Sequence, residues 1–240
     1  MADTDASING FLVLDKPVGP SSMRAVAVVR RRAGGRKTGH GGTLDPRASG
    51  VLVLGLGKAT RQLEQVVATA KRYETEVDLS IRTATDDLEA EPIPVDVAVP
   101  PTPASIREAL RKFQGDIMQA PPAFSAVKVN GRRAYALARK DQPVDLPPRP
   151  VRVDHIELLE YAWPMARIDI ACGKGFYVRS LARDLGTALG TGGCCASIRR
   201  TAVGPFSLDE AVHLDDVPDP LSGAHLIGIA EAMERIGGTP

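Results

Sequence analysis

A glycine-rich segment around residue 45 constrains this chain more than any other feature, because it restricts the backbone on both sides of one acidic residue. It reads Gly39-His40-Gly41-Gly42-Thr43-Leu44-Asp45-Pro46-Arg47-Ala48-Ser49-Gly50. Glycine adopts positive φ readily and lets a bulky ligand approach the backbone. Pro46 fixes its own φ and biases Asp45 toward an extended conformation. The segment therefore predicts a stiff turn that presents the Asp45 carboxylate.

The chain predicts a helix before this turn and a buried strand after it. Ser21 or Ser22 is a candidate N-cap for a helix that runs to about Ala33. The apolar run at residues 51–54 predicts a buried strand, and a helical pattern follows at residues 58–69. Loops that lead into buried strands commonly carry catalytic groups. Asp45 is therefore a candidate functional carboxylate, although an Asp-Pro pair is also an ordinary turn.

Positive charge is concentrated just before the turn. No acidic residue offsets the basic residues of this stretch, which are Arg24, Arg30, Arg31, Arg32, Arg36 and Lys37. The whole chain has a formal net charge of +1, so a face that binds a polyanion must arise from sorting of charges rather than from an excess. The local run predicts a nucleic acid as the ligand.

The rest of the sequence predicts a mixed α/β chain in which helices pack on a sheet. Residues 73–81 keep a mostly two-residue apolar period that predicts a half-buried strand. Residues 91–103, rich in proline and valine, predict a linker. Further strands are predicted at residues 11–14, 153–159 and 166–172, and further helices at residues 105–113, 180–189 and 226–236.

Bulk properties indicate a cytoplasmic protein. A chain of 240 residues forms one large domain or two small ones. Cys172, Cys194 and Cys195 lack the Cys-x-x-Cys spacing of zinc sites and predict reduced thiols. No stretch reaches the roughly 18 apolar residues of a membrane helix. The polar N-terminus carries Asp3 and Asp5, unlike a cationic signal peptide.

The glycine-rich segment resembles the signature of the TruB family of pseudouridine synthases, which isomerise a uridine in the T-loop of tRNA. Five further collinear blocks resemble the same family: residues 11–22, Lys71-Arg72-Tyr73, residues 83–91, residues 121–131 and residues 175–181. Arg47 and Ser49 stand where family members more often have Leu and Thr. The resemblance covers the chain from about residue 10 to residue 210.

The resemblance implies an α/β (α+β) pseudouridine synthase fold, with a bent, mixed, largely antiparallel sheet, flanking helices and a central active cleft. It implies a disordered segment at residues 1–9 and a catalytic domain at residues 10–210. Residues 123–152 would form an RNA-gripping insertion within that domain. Residues 211–240 would be a short tail, so that a PUA-type RNA-binding module is expected to be absent or reduced.

The resemblance also implies roles for the catalytic residues. Asp45 would act as a nucleophile at C1′ or as a base at the sugar, and the sequence leaves both open. A buried carboxylate needs a charge partner to stay ionised, and by resemblance that partner is Arg179. Tyr73 and Tyr177 would surround the flipped base, and Tyr73 is a candidate for proton transfer at C5.

Four further residues are candidates for substrate binding. By resemblance His40 contacts the RNA, although a histidine beside glycines is also an ordinary turn residue. Lys16 and Lys71 are candidate phosphate contacts or ordinary exposed lysines. Ile198 corresponds to an apolar residue near the base, and core packing explains it equally well. The reaction implies no metal and no other cofactor.

The predicted partner is the T-arm stem-loop of tRNA, bound by a monomer that needs neither a protein partner nor a membrane. Two alternatives remain open at the level of sequence. The first is an RNA chaperone of the same fold that helps tRNA to fold. The second is a related guide-directed rRNA pseudouridine synthase, for which a PUA module would be needed to dock the guide RNA.

Overall fold

The computed structural model describes residues 8–125, 128–129, 132–134 and 146–237. The chain divides into two compact units. The first unit combines Met1–Tyr73 with Arg199–Pro240, and the second unit is the continuous segment Glu74–Ile198. Residues 126–127, 130–131 and 135–145 of the predicted insertion, and residues 1–7 of the predicted disordered segment, lie outside the described residues.

The described residues form five α-helices and fourteen strands, and several strands follow one another directly along the chain. The α-helices are α1 Ser22–Arg32, α2 Leu63–Ala68, α3 Pro103–Arg111, α4 Val178–Leu189 and α5 Ile229–Gly237. The strands are β1 Gly10–Lys16, β2 Thr38–His40, β3 Ala48–Leu56, β4 Lys71–Asp78, β5 Ile81–Arg82, β6 Ile93–Pro94, β7 Gly115–Gln119, β8 Lys128–Val129, β9 Arg132–Arg133, β10 Arg149–Ala162, β11 Met165–Cys172, β12 Cys194–Val203, β13 Phe206–Ser207 and β14 Val212–His213. Short 3-10 helices are Gly57–Gln62, Leu208–Glu210, Leu214–Asp216 and Gly223–His225.

The sheet of the first unit runs in the order β14-β1-β3-β12, with β2 paired to β3 and β13 paired to β12. β1 and β3 are antiparallel, and β14 lies parallel to β1. β3 is buried almost throughout, which confirms the strand predicted from its apolar run. This strand begins three residues after Asp45 and therefore anchors the turn that carries it.

The core of the first unit joins distant parts of the chain. Phe11 of β1 exchanges two backbone hydrogen bonds of 2.8 Å with Ile227, and both residues pack in the same apolar cluster. Ala232 of α5 is buried in that cluster, with Met233 and Ile236 packed against it. Loss of a buried Phe side chain typically costs about 3–5 kcal/mol. The segment after residue 211 is therefore part of this core.

Helix α1 follows the prediction closely. Ser21 caps it by accepting a hydrogen bond of 3.2 Å from the Arg24 amide, and its buried face includes Ala25, Val26 and Val29. Three arginines occupy its last turn, where cations are favoured by the helix dipole. The apolar face turns inward, so the exposed face carries the positive charge that the sequence indicated.

The sheet of the second unit runs β12-β4-β11-β10-β7, and β10 pairs antiparallel with both β11 and β7. Thr102 caps α3 through a hydrogen bond of 3.1 Å from the Ser105 amide. Helix α4 begins at Val178, two residues earlier than predicted. Arg179 therefore lies inside the first turn of α4 rather than ahead of it.

Two further predictions differ from the structure in detail. The helix expected at residues 58–69 is a 3-10 turn followed by the short α2, and the Thr60 hydroxyl donates to the Gly57 carbonyl at 2.8 Å, which competes with regular helix bonding. The strand expected to reach residue 81 ends at Asp78, whose carboxylate accepts from the Ser80 amide at 2.8 Å and forms a turn. The predicted class of a mixed, largely antiparallel sheet flanked by helices is confirmed.

Candidate active site

The loop that carries Asp45 is fixed by backbone hydrogen bonds in the first unit. The Ser22 hydroxyl donates to the Leu44 carbonyl and accepts from the Leu44 amide, both at 2.8 Å. The Gly19 amide donates to the Pro46 carbonyl at 2.8 Å, and the Ala48 amide donates to the Asp45 carbonyl at 3.1 Å. The partly buried Asp45 side chain therefore stands on a turn that is tied at each end.

The guanidinium of Arg200, a residue of β12, also holds this loop by hydrogen bonds, and no pattern in the sequence indicated this role. Its side chain is buried, with only 2% of the residue exposed. The guanidinium donates to the carbonyls of Val51 at 2.7 Å, Thr43 at 3.3 Å and Gly42 at 3.1 Å. The planar fork of arginine suits several acceptors at once. Arg200 therefore joins β3 to Gly42 and Thr43, which precede Asp45.

Gly50 shows why the motif ends in glycine. Its φ is +101°, and a Cβ built at this position would lie 2.2 Å from the Arg200 carbonyl oxygen. Beside it, Arg199 forms an ion pair of 2.9 Å with Asp15 and donates to the Ser49 hydroxyl at 3.4 Å. Arg200 therefore binds the loop from a buried position, whereas its neighbour Arg199 forms an ion pair at the surface.

Lys16 is buried, with 0% of the residue exposed, and its ammonium donates to the carbonyls of Pro17 at 2.8 Å and Pro20 at 3.0 Å. Burial lowers the pKa of Lys16 from 10.5 to about 8, while the Asp45 carboxylate opposes this shift and Arg200 adds to it. Lys16, Asp45 and Arg200 therefore interact electrostatically. The exposed position predicted for Lys16 is therefore wrong. Its ammonium group donates hydrogen bonds to backbone carbonyls inside the protein.

The exposed position predicted for Lys71 is also wrong. Lys71 is buried at the start of β4, and its ammonium donates to the carbonyls of Val67 and Thr69, each at 2.5 Å. Carbonyls at a helix C-terminus lack partners within the helix, and a lysine near that end satisfies them. Lys71 therefore closes the end of α2.

His40 ends β2, opposite Leu54 of β3, and is a strand residue, so the alternative of an ordinary turn residue is wrong. Burial, followed by the nearby Arg200 charge, lowers the pKa of His40 below its usual value, so the ring is neutral at pH 7. Its Nδ1 atom is buried and has no hydrogen-bond partner within the described part of the chain. A neutral imidazole is able to donate or accept one bond to a ligand.

Arg179 is the main charged group of the second unit's candidate site. It is buried on α4, and its guanidinium donates to the carbonyls of Thr85 at 3.0 Å and Phe124 at 2.9 Å. The same side chain forms an ion pair of 3.4 Å with the buried Asp87. Sequence reasoning missed Asp87, which the block at residues 83–91 contained without an assigned role. The predicted pairing of Arg179 with Asp45 joins residues of different units and stays a prediction.

The two tyrosines and Ile198 are partly buried. Tyr73 lies on β4, as predicted, and Tyr177 is the residue that precedes α4. The side-chain amide of buried Gln119 donates to the Tyr177 carbonyl at 3.1 Å and accepts from its amide at 2.8 Å. Gln119 therefore fixes the backbone that presents Tyr177, and no pattern in the sequence pointed to it.

The described residues contain no group of three or more His, Cys, Asp or Glu side chains arranged to hold a metal ion. The three cysteines are buried free thiols, as predicted. None of the helices described is long and apolar enough to cross a membrane.

Comparison with known proteins identifies the class. A model described as the N-terminal domain of TruB family pseudouridylate synthases matches residues 30–178, and one described as the C-terminal domain of tRNA pseudouridylate synthase B matches residues 179–225. Among solved structures, the chain resembles the crystal structure of a Cbf5-Nop10-Gar1 complex with a TM-score of 0.73 and 31% identity, over 94% of this chain and 62% of that chain. The chain is therefore a pseudouridine synthase, an isomerase.

Curated relatives narrow the class to a family. The chain is 43% identical over 232 residues to tRNA pseudouridine synthase B of Arthrobacter sp. strain FB24, covering 94% of this chain and 76% of the relative. It is 46% identical over 237 residues to the protein of that name from Gluconacetobacter diazotrophicus, covering 95% of this chain and 76% of the relative. The chain belongs to the TruB family of pseudouridylate synthases, which confirms the resemblance seen in the sequence.

Proposed function

We propose that this chain converts uridine 55 in the T-loop of tRNA to pseudouridine. The relatives that cover most of the chain are named for a tRNA pseudouridine synthase. The observation that carries the proposal is the Asp45 carboxylate, presented on a loop that Ser22, Gly19 and Arg200 tie to the first unit. Such a loop supplies the fixed geometry that attack on a held substrate requires.

The chemistry needs one positioned carboxylate. The bond from N1 of uracil to C1′ of the sugar breaks, the base turns, and C5 bonds to C1′ while N1 gains the proton that C5 loses. Asp45 acts at C1′ as a nucleophile or at the sugar as a base. Because the product is an isomer of the substrate, the reaction consumes no electron donor and no group donor. The proposal therefore includes no redox or group-donating cofactor, and it assigns no step to a metal.

The remaining site residues act on the extruded nucleotide. A uridine must leave its stack to react, and an aromatic ring that replaces the lost stacking stabilises it by about 1–3 kcal/mol. Tyr73 and Tyr177 take this role, and Tyr73 exchanges a proton at C5. His40 and Ile198 contact the base, and Arg179 stabilises the charge of the Asp45 carboxylate. Lys16 and Lys71 support the site from the interior instead of contacting phosphates.

The exposed face of α1 is the proposed surface for the tRNA backbone. An open groove of about 370 Å³ lies along it and is lined in part by Met23, Arg30 and Arg31. Met23 is 63% exposed, and both arginines are exposed. The guanidinium of Arg32, by contrast, donates to the carbonyls of residues 214, 215 and 217. Fewer arginines are therefore available to contact phosphates on this surface than the basic run in the sequence contains.

Isomerisation of unmodified tRNA by the purified protein tests the proposal. Release of tritium from 5-tritiated uridine should proceed with the wild-type protein, and sequencing should place the pseudouridine at position 55. Asp45→Asn should abolish release while tRNA binding stays within a few fold, because phosphate and base contacts dominate affinity. A T-arm stem-loop of about 17 nucleotides should react nearly as well, since its single-stranded loop supplies the specific contacts. Substantial turnover by Asp45→Asn would refute the assignment.

One observation favours a second candidate, a pseudouridine synthase that works within a ribonucleoprotein. The chain also resembles the structure of an H/ACA RNP bound to a substrate RNA containing 2′-deoxyuridine, with a TM-score of 0.65 and 32% identity over 87% of this chain and 52% of that chain. We propose instead a cytoplasmic monomer that acts without protein partners, because the tRNA-specific relatives are more similar. Activity on tRNA without added RNA or protein separates the two. Tests of tRNA folding with Asp45→Asn measure the proposed alternative role as an RNA chaperone.

A further inference from the structure

Two arginines on α4 hold the same loop. Arg179 and Arg183 lie one helical turn apart, so their side chains project on one face of the helix. Arg179 contacts Thr85 and Asp87, and Arg183 forms an ion pair of 3.1 Å with the intervening Asp86. We call residues 83–90 the acidic loop. Three consecutive residues of the acidic loop are therefore bound to two guanidinium groups.

Asp86 adopts a backbone conformation that few residues tolerate. Its φ is +59°, and it is the only non-glycine residue with positive φ within the described ranges. Asparagine, aspartate and glycine enter this left-handed region most readily, and other side chains meet steric conflict. The backbone therefore favours Asp, Asn or Gly at position 86, and the choice of a charged aspartate there calls for a further reason.

The contacts around Asp86 supply that reason. The Asp86 carbonyl accepts from the Cys195 amide at 2.9 Å, which fixes the backbone on one side. Arg183 donates to the Asp86 carboxylate at 3.1 Å and to the Ala120 carbonyl at 3.0 Å, and pairs with Asp184 at 2.9 Å. Its guanidinium is thus held in one place by α4 and by residue 120. The Asp86 carboxylate is the group that ties the acidic loop to this fixed cation.

The bond at Asp86 acts on the residues beside it. The Asp87 carboxylate accepts from the Thr85 hydroxyl at 2.7 Å and from the Glu89 amide at 2.9 Å. These bonds aim its second oxygen at Arg179, 3.4 Å away. A change in the backbone at Asp86 moves both Thr85 and Asp87, which are the adjacent residues and both contact Arg179.

We propose that Asp86 and Arg183 form a positioning pair that sets the orientation of Arg179. The proposal rests on the proposed function for its effect on turnover, because Arg179 is catalytic only in that reaction. The pair touches no reacting atom. It fixes the loop whose neighbouring residues contact Arg179, and small displacements of such a group lower turnover without removing the substrate site.

The charges that face Asp86 also give the pair a pH dependence. Burial raises the pKa of the Asp86 carboxyl, opposed by Arg183 and Arg179, while Asp184 contributes a further rise. The carboxyl therefore takes up a proton at a higher pH than an ordinary aspartate. Below that pH the attraction to Arg183 is lost, and above it the attraction is complete. Turnover should decline at acidic pH as protonation of Asp86 breaks its ion pair with Arg183.

The test replaces Asp86 by Asn, which tolerates the same backbone conformation and removes only the charge. The turnover number should fall about 10- to 100-fold, with the dissociation constant for tRNA unchanged. The acid decline that is due to Asp86 should disappear from the pH profile. The melting temperature should stay level or rise, because a carboxyl with a raised pKa destabilises the folded protein at neutral pH. A drop in melting temperature that accounts for the lost activity would overturn the proposal in favour of a structural role.

Two matched controls separate this pair from its surroundings. Asp116→Asn removes the carboxylate that pairs with Arg152 at 3.2 Å in the same unit, and because neither residue belongs to the acidic loop or to α4, it should leave turnover near wild type. Arg183→Lys should reduce turnover, whereas Arg167→Lys should not, although Arg167 pairs with Glu74 at 2.6 Å in the same unit. Equal losses in Asp86→Asn and Asp116→Asn would overturn the proposal.

One readout does not depend on the substrate. The amides of Glu89, Ala90 and Cys195 donate to Asp87, Thr85 and Asp86 respectively. Hydrogen exchange at these amides should accelerate about tenfold in Asp86→Asn and stay unchanged in Asp116→Asn. A wild-type protein that fails to modify tRNA refutes the proposed function alone. Unchanged exchange in Asp86→Asn refutes the positioning pair.

Discussion

The Asp45 loop of the first unit, which is residues 41–47 between β2 and β3, and the acidic loop of the second unit both present a charged side chain, and they do so by different means. The Asp45 loop is tied by backbone amides and carbonyls, with Arg200 donating to three neutral carbonyls. The acidic loop is tied by ion pairs, since Asp86 and Asp87 each meet a guanidinium of α4. In the Asp45 loop, peptide groups fix the position of a carboxylate. In the acidic loop, carboxylates pair with two arginines.

This difference decides how each loop responds to change. Hydrogen bonds between peptide groups do not depend on pH in the range where proteins are stable, so the Asp45 loop depends mainly on backbone shape. Ion pairs are lost when a carboxyl takes up a proton or when one partner is removed, and a buried charge left alone is costly. Substitutions that alter backbone shape should therefore affect the first loop most, and substitutions that alter charge should affect the second.

After the complete loss expected of Asp45→Asn, the largest expected effect is that of Arg179→Met. Turnover should fall by about 10³-fold, because loss of a fixed charged group in a closed site typically has an effect of this size. The replacement also leaves Asp87 buried without its guanidinium. Tritium release measures turnover, and filter binding measures tRNA affinity. Near-normal turnover with an unchanged pH profile would show that Arg179 does not act on a catalytic carboxylate.

Substitutions of one glycine in each unit compare how strictly the backbone requires glycine at the two positions. Gly50→Ala should lower the free energy of unfolding by about 3–5 kcal/mol, since strain at φ +101° adds to the approach of 2.2 Å to the Arg200 carbonyl. Gly175→Ala should cost only about 1–2 kcal/mol, because φ is +86° but the nearest atom lies 4.0 Å away. Urea denaturation of both variants measures the difference. Equal losses would mean that the Gly50 contact relaxes without cost.

A pair of double variants compares the charged surfaces of the two units. Replacement of Arg30 and Arg31 on α1 by Gln should weaken tRNA binding at low salt and reduce the slope of log K against log salt by about 1.4–1.8. Replacement of the exposed Arg107 and Arg111 on α3 by Gln removes the same charge from the second unit and should leave the slope nearly unchanged. Binding titrations at several salt concentrations measure the slope for each variant. Similar slopes for the two variants would remove α1 from the proposed tRNA surface.

The last expected effect, which is confined to alkaline pH, concerns Lys16. Its pKa in the folded protein is lowered to about 8, so the folded state loses a proton before the unfolded state does. Stability should therefore increase as pH rises from about 8 toward 10.5, the range between the folded and unfolded pKa values. Urea midpoints at pH 7.5 and pH 10 should show this gain in the wild type relative to Lys16→Met. An equal pH response in both proteins would show that Lys16 keeps an ordinary pKa.

Sequence patterns predicted the Asp45 loop better than the acidic loop. Glycine and proline carry their backbone preferences with them, so a turn around Asp45 and a cap at Ser21 followed from residue type alone. Arg200 could not be recognised, since Arg199-Arg200 reads as a charged surface pair and only the strand alternation turns the second residue inward. Lys16 and Lys71 were misplaced for the same reason, because no pattern shows which carbonyls a buried lysine will find.

The acidic loop was recognised by resemblance but not understood from it. Asp86 and Asp87 are adjacent carboxylates, and the left-handed backbone at Asp86 sends their side chains to different arginines. Gln119, which holds the backbone of Tyr177, lies 58 residues away in the chain. Contacts of this kind depend on tertiary structure, whereas the helices and strands that carry them depend on local periodicity and were mostly predicted.

The division of the chain also has a consequence for folding. The second unit is continuous, whereas the first unit needs Arg199–Pro240 to complete a core that includes Phe11, Ile227 and Ala232. During synthesis the second unit therefore emerges whole while the first still lacks its last segment. Joining β1 to residue 227 closes a loop of more than 200 residues, and contacts of such long sequence separation form slowly. The Asp45 loop depends on Arg200 from this late segment, so it is expected to mature after the acidic loop.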